Sequence, residues 1–204
     1  MTMNPGLRRA IFRFGLLLGA GASLTLGACA PVVIAAGVTA GVAASQERGI
    51  EGAASDTRIR LQINHLWLQE STSLFSRIGL QVQEGRVLLT GQVPEPEARV
   101  TAVRLAWQPE AVAEVINEIE LGDESSLLDT ARDEWIGAQL RLRLVGDAAI
   151  ASINYSIETV NGSVYLIGVA QNQAELDRVI AYAKGIAYVR RVLNYMRLKT
   201  DPAS

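Results

Sequence analysis

The apolar and polar positions of this chain follow the same order of elements twice. In the first copy, Ile59, Ile63 and Leu66 recur at the spacing of one helix face. Two runs of alternating apolar residues follow, 78–82 and 87–93, and they predict a β-hairpin. A second helix and a closing strand complete the unit. The pattern therefore predicts the element order α-β-β-α-β.

The second copy begins 77 residues after the first, and the two copies align without a gap. The offset superposes GRVLLTG, residues 85–91, on GSVYLIG, residues 162–168. Both segments open with a glycine that is typical of a hairpin turn. A constant offset over a whole unit indicates a tandem repeat. We therefore expect an α+β fold with two domains, 55–122 and 128–200, each a three-stranded sheet with two helices on one face.

The N-terminus has the pattern of a targeting segment. Residues 1–28 run from basic to apolar to small residues, which predicts a secretory signal peptide. Leu26-Gly27-Ala28-Cys29 resembles the lipobox of bacterial lipoproteins. This resemblance implies that the Cys29 sulfur receives a diacylglyceryl group, that the chain is cut before it, and that the new amine is acylated, with palmitate as the expected acyl group. A membrane-spanning anchor that is not cleaved stays the alternative, because small apolar residues continue to Ala44.

The segment after the cysteine predicts how the folded part is attached. Residues 29–54 are rich in Ala and Gly and have few large side chains to bury, so we expect a lipidated tether there. Ala30 stands where an Asp would resemble an inner-membrane retention signal. The resemblance therefore implies the outer membrane, with the domains facing the periplasm.

The composition excludes several classes of function. The formal net charge is −2 and no basic stripe is visible, so nucleic acid is not an expected partner. With one cysteine and one histidine, His65, neither a His/Cys metal site nor Cys–His catalysis is expected. We expect no enzyme activity, and no cofactor beyond the covalent lipid on Cys29.

The repeated motifs resemble a known family. Each copy has the pattern G-x-V-x-L-x-G between two helices and ends in V-x-N-x-[IM]-x-L, at 115–121 and 192–198. This combination resembles the BON domain (bacterial OsmY and nodulation). With the lipobox in front, the chain resembles the dual BON-domain outer-membrane lipoproteins, the division- and outer-membrane-stress-associated lipid-binding family. The resemblance implies a role in envelope integrity through binding of anionic phospholipid.

The first helix of the second copy has more apolar surface than one domain needs. Ile136, Leu140 and Leu144 are predicted to face the sheet. A second stripe on the opposite side, with its flanking basic residues, consists of Trp135, Ala138, Leu142, Val145, Arg141 and Arg143. An indole at an apolar edge beside arginines suits a membrane interface. The family resemblance implies phospholipid binding by Trp135, which matches an aromatic residue of the family, and by Val145. The stripe and its flanks extend this prediction to Ala138, Leu142, Arg141 and Arg143.

Two other interpretations of this stripe stay open. It can pack against the other BON domain, which buries the Trp135 helix between the domains. In the second interpretation the chain is a protein–protein adaptor of the envelope, and it offers sheet faces or edges to its partners. The expected partners are accordingly an anionic phospholipid membrane and envelope or outer-membrane assembly proteins.

Four uncharged residues have predicted structural roles. Trp67 and Trp107 are expected in a core or a domain contact. Gly91 and Gly168 interrupt strands, and glycine at such positions indicates close packing or a bulge.

Five charged residues lie near predicted element boundaries. Asp133 and Glu134 are expected at a helix start, with Arg132 just before the helix, because carboxylates favour that end of the helix dipole. Arg190 and Arg191 open the last strand, where they either contact lipid headgroups or protect the strand edge.

Overall fold

The structure is a computed structural model that describes residues 49–123 and 127–199. The predicted signal peptide, the lipobox, the membrane-spanning alternative and residues 29–48 of the tether lie outside the described residues. Within the described ranges, no helix is both long enough and apolar enough to cross a membrane.

The first domain follows the predicted order with one added helix. Its elements are α1 (Gly49–Glu70), α2 (Thr72–Arg77), β1 (Ile78–Gln83), β2 (Arg86–Val93), α3 (Pro96–Ala106), β3 (Glu114–Asn117) and β4 (Glu120–Leu121). Helix α1 begins at Gly49, so the last six residues of the predicted tether are helical. Good helix formers in that stretch, among them Glu51 and Ala53, allow the helix to extend backwards.

The second domain repeats this order. Its elements are α4 (Leu127–Gly146), a short 3₁₀ helix (Ser152–Asn154), β5 (Tyr155–Val160), β6 (Ser163–Ala170), α5 (Gln173–Lys184) and β7 (Arg191–Leu198). In both domains the first two strands pair antiparallel and the last strand pairs parallel with the second. The predicted α+β fold is confirmed.

The closing strand of the first domain is less regular than predicted. It divides into β3 and β4, and both pieces pair with β2. At the break, the Asn117 side chain accepts a hydrogen bond from the Ile119 N–H at 3.2 Å. The equivalent contact between Asn194 and Met196 is also present, yet β7 stays continuous.

Each domain has its own core between the helices and one face of the sheet. In the first domain the deepest helical residues are Ile59, Ile63 and Trp67, and in the second they are Ile136, Leu140 and Leu144. The Trp67 indole donates to the Ala102 carbonyl at 3.2 Å, which ties α1 to α3. Trp107 is 50% exposed, so its predicted burial is wrong, because it caps the C-terminal end of α3 where the chain turns away.

A buried carboxylate on the first helix holds the hairpin turn in both domains. Asp133 accepts hydrogen bonds from the N–H groups of Asn161 at 2.6 Å and Gly162 at 2.7 Å. Asp56 makes the same two contacts with Glu84 and Gly85, both at 2.9 Å. The predicted helix-start position of Asp133 is therefore wrong, since α4 begins at Leu127 and already includes Arg132.

The two glycines predicted at close-packed positions are confirmed. Gly91 and Gly168 have φ angles of 106° and 153°. A Cβ on Gly168 would lie 2.1 Å from the Asn154 carbonyl oxygen, and one on Gly91 would lie 2.2 Å from that of Arg77. Any larger residue would separate the first two strands at this point.

The domains contact each other through their sheets. Along β2 and β6, alternate residues face opposite sides, so Val87 and Leu89 enter the first core while Leu88 faces the other domain. Leu88 forms a separate buried cluster with Tyr165 and Ile167. The order of layers is therefore helices, sheet, sheet, helices. The interpretation that buries the Trp135 helix between the domains is therefore wrong. The sheet faces are not available to partners, because the helices cover one face of each sheet and the sister domain covers the other. An adaptor role through the sheet edges stays a prediction.

The contact between the sheets is approximately two-fold symmetric. Gln81 donates to Glu158 at 3.0 Å, and Tyr195 donates to Glu118; each pair joins equivalent positions of the repeat. The ion pair Arg197–Glu114 has its symmetry mate in Arg191–Glu120. Residue i contacting j while j contacts i is the signature of a two-fold interface.

Candidate functional site

The second apolar stripe of α4 lies on the outer surface of the second domain. Trp135 is 44% exposed and Val145 is 73% exposed, while Ala138 and Leu142 are also exposed. On the opposite side of the same helix, Ile136, Leu140 and Leu144 are buried. The helix thus presents one apolar side to the core and a second one to the solvent.

The two flanking arginines lie on opposite sides of the helix. Arg141 donates to the Ile157 carbonyl on β5 at 3.0 Å. Arg143 donates to the Gly185 carbonyl at the end of α5, at 3.3 Å. Both side chains remain largely exposed, so each keeps N–H groups available to a ligand.

An aromatic pair dominates the N-terminal half of this surface. The rings of Trp135 and Tyr188 meet edge to face, with their centres 6.0 Å apart. The Arg132 guanidinium lies over the Tyr188 ring, 5.4 Å from its centre, and also pairs with Asp129 at 2.8 Å. Together with Leu128 these side chains line an open groove of about 450 Å³. We define the Trp135 face as the exposed residues Leu128, Trp135, Leu142, Val145 and Tyr188, together with the half-buried Arg132.

Sequence reasoning missed Tyr188 and Leu128. Tyr188 lies between α5 and β7, where no helical periodicity signals it, and its φ of 69° places it in the left-handed region. A comparison of the two copies at the repeat offset does indicate both residues. It aligns Tyr188 with Ala111, Leu128 with Glu51 and Trp135 with Arg58, so aromatic and apolar residues replace small or charged ones only in the second copy.

A half-buried carboxyl lies at the contact between the two domains, away from the Trp135 face. Glu158 lies close to Gly79 of the first domain and accepts the hydrogen bond from Gln81. Burial raises the pKa of Glu158, while the Gln81 hydrogen bond and the Arg141 charge lower it and nearby Glu134 and Asp133 raise it. This group belongs to the domain contact.

The remaining candidates are Arg191, His65 and the residue types that ligate metals. Arg191 pairs with Glu120 at 2.7 Å across the domain contact, so it is not directed at a headgroup. His65 is exposed on α1. Among the residues described by the structure, no three His, Cys, Asp or Glu side chains are grouped to hold a metal ion.

The family model for the BON domain matches residues 55–123 and 132–200. The chain belongs to the BON-domain family. The two matches coincide with the two α/β domains described above, and the Trp135 face begins on the first helix of the second BON domain.

Two relatives are similar to this BON-domain chain over most of their length. An uncharacterized protein in the gshII 5′ region of Anaplasma centrale is 48% identical over 145 residues, which cover 71% of this chain and 95% of the relative. The outer membrane lipoprotein DolP of Haemophilus influenzae is 29% identical over 199 residues, 96% of this chain and all of DolP. A 21 kDa hemolysin of Actinobacillus pleuropneumoniae is 32% identical over 124 residues, 60% of this chain and 64% of the hemolysin.

Proposed function

We propose that this BON-domain protein is a lipoprotein of the outer membrane that faces the periplasm and docks on anionic phospholipid through the Trp135 face. In this proposal Cys29 carries the lipid, and the protein supports envelope integrity without catalysing a reaction. The lipobox and the similarity to an outer membrane lipoprotein along almost the whole chain support the location.

The exposed Trp135–Tyr188 pair is the observation that carries the docking proposal. An indole and a phenol with polar tips suit the boundary between acyl chains and headgroups. Arg132 beside the pair offers a guanidinium to a lipid phosphate, and its stem covers apolar surface. Leu142 and Val145 extend the same apolar surface towards the C-terminal end of α4.

The anchor and the docking surface have different roles in this proposal. Each buried CH₂ of an acyl chain contributes about 0.8 kcal/mol, so two or more chains provide stable residence on a membrane. The tethered domains then experience a high effective concentration of lipid, and a weak surface contact is sufficient for docking. The Trp135 face would set the orientation of the domains and their preference for anionic regions.

Vesicle co-sedimentation tests the proposal. The soluble segment 49–204 contains all three described clusters of buried residues, and it is mixed with vesicles of phosphatidylglycerol and phosphatidylcholine. We expect Trp135→Glu to abolish sedimentation with the anionic vesicles and to leave the circular dichroism spectrum unchanged. Trp107→Glu, on the other exposed tryptophan, is the matched control and should bind normally. Normal binding by Trp135→Glu would refute the proposed site.

A further inference from the structure

The helical surface of the first domain has two exposed ridges that the proposed docking does not use. On α1, Leu61 and Leu68 are exposed with His65 between them. On α3, Val100 and Trp107 are 64% and 50% exposed, with Arg104 between them. Each ridge thus has an apolar residue at either end and a basic or titratable residue in the middle. We call these six residues the α1–α3 face.

The α3 ridge is not required by the BON fold. The repeat offset aligns Val100 with Asp177 and Trp107 with Lys184, so the equivalent helix of the second domain has charged residues at both positions. Both domains nevertheless form complete cores. The exposed valine and tryptophan therefore add apolar surface that folding does not explain, which makes them candidates for an interaction site.

The layer order decides between a bilayer and a protein as the occupant. Because the two sheets pack together, the helices of the two domains lie on opposite sides of the molecule. A bilayer that contacts the Trp135 face cannot also contact the α1–α3 face. This step rests on the proposed function, and it directs the α1–α3 face towards the aqueous side.

The charges on this face indicate the chemistry of the partner. Arg104 is exposed and forms no ion pair within residues 49–123 and 127–199. A partner with a carboxylate opposite Arg104 and apolar residues on either side is complementary to the α3 ridge.

We infer that the α1–α3 face binds an acidic amphipathic helix of a protein partner. The partner's apolar residues would contact Leu61, Leu68, Val100 and Trp107, and its carboxylates would pair with Arg104. A groove of about 210 Å³ beside His65, lined also by Gln108 and Pro109, lies between α1 and the end of α3 and accepts side chains of the helix. Helices that dock by apolar residues at spacings of three and four are a common recognition mode.

Peptide binding to segment 49–204 tests this inference. The probe is a labelled synthetic amphipathic helix with leucines on one side and glutamates in its central turn, and its control has lysines in place of the glutamates. We expect the glutamate peptide to bind at least about tenfold more tightly than the lysine peptide, measured by fluorescence anisotropy. Arg104→Glu should reverse this preference.

Two matched variants separate this inference from the proposed function. Val100→Asp introduces the residue that the second domain has at that position, and it should weaken peptide binding at least about tenfold while vesicle binding persists. Val145→Asp should weaken vesicle binding and leave peptide binding unchanged. If the vesicle result fails alone, only the proposed function is refuted.

Three results would overturn the inference. The first is equal binding of both peptides, and the second is a Val100→Asp variant that binds the glutamate peptide normally. The third is a Val100→Asp variant that loses anionic vesicle binding, or that dissociates a dimer seen by sedimentation velocity. This third result would assign the face to lipid or to a second copy, respectively.

Discussion

Trp135 and Tyr188 belong to different elements of the second domain, yet their rings meet edge to face at an angle of 72°. The helix supplies one ring and the loop before β7 supplies the other. The surface is therefore defined by the tertiary fold, and helix α4 alone contains only part of it.

The aromatic pair gives a first prediction. Tyr188→Ala removes the loop's contribution to the proposed docking surface and leaves the Trp135 ring without its partner. Because burial of the Tyr188 ring at the membrane interface would contribute on the order of 1 kcal/mol, we expect anionic vesicle affinity to fall between about twofold and tenfold. Co-sedimentation across a lipid titration measures the change. Tyr188→Phe keeps the ring contact and should bind nearly as well as the parent, and an equally large loss there would contradict the ring-contact explanation.

The buried carboxylate on α4 gives a second prediction. Asp133→Ala leaves the N–H groups of Asn161 and Gly162 without their acceptor. We expect the free energy of unfolding, measured in urea, to decrease by about 2–4 kcal/mol. Glu134→Ala changes the exposed neighbour and should stay within about 0.5 kcal/mol of the parent. Similar losses in both variants would argue against the turn contacts as the cause.

The glycine in β6 gives a third prediction. Gly168→Ala places a Cβ against the Asn154 carbonyl oxygen and a non-glycine residue at a positive φ. We expect a decrease of at least about 2 kcal/mol in the free energy of unfolding. Gly146→Ala is the matched control, because no atom lies within 4 Å of its added Cβ. A fully stable Gly168→Ala protein would show that the strands can separate without cost.

The carboxyl in the domain contact gives a prediction about pH. Burial raises the pKa of Glu158 above its usual 4.5. Between the usual value in the unfolded chain and the raised value in the fold, stability decreases as the pH rises, because the folded state favours the protonated form. Glu158→Gln removes this decrease, and its amide oxygen can still accept the Gln81 hydrogen bond.

We therefore expect the Gln variant to gain stability over the parent as the pH rises from about 4 to about 7. Urea unfolding of both proteins at several pH values measures the difference. Carboxyls that do not interact with Glu158 affect both proteins equally. Glu114, whose pKa is lowered chiefly by its Arg86 hydrogen bond, therefore cancels in the comparison. A difference that does not vary with pH would contradict the prediction.

Local sequence patterns were sufficient to predict the fold. Periodic apolar residues such as Ile59 and Ile63 define a helix side, and Asn161-Gly162 defines a turn, because both depend on neighbours in the chain. The repeat supports each predicted element a second time, because the same pattern recurs at a constant offset. The break between β3 and β4 was not predictable in this way, since the same asparagine contact leaves β7 intact.

The candidate site was predictable only where it is helical. Trp135, Leu142 and Val145 follow from the surplus apolar side of α4. Tyr188 lies in a loop, and its position depends on how the chain turns after α5, which periodicity does not report. The predicted helix-start role of Asp133 is wrong, because its partners are backbone N–H groups that are distant in sequence.

The near two-fold contact between the sheets has a consequence for the history of the chain. Equivalent positions contact each other across it, as Gln81 does with Glu158, so each domain contributes one half of a self-complementary interface. An ancestor with a single domain could have homodimerised through this interface. Duplication of its gene would place both halves in one polypeptide and leave the two outer surfaces to diverge independently.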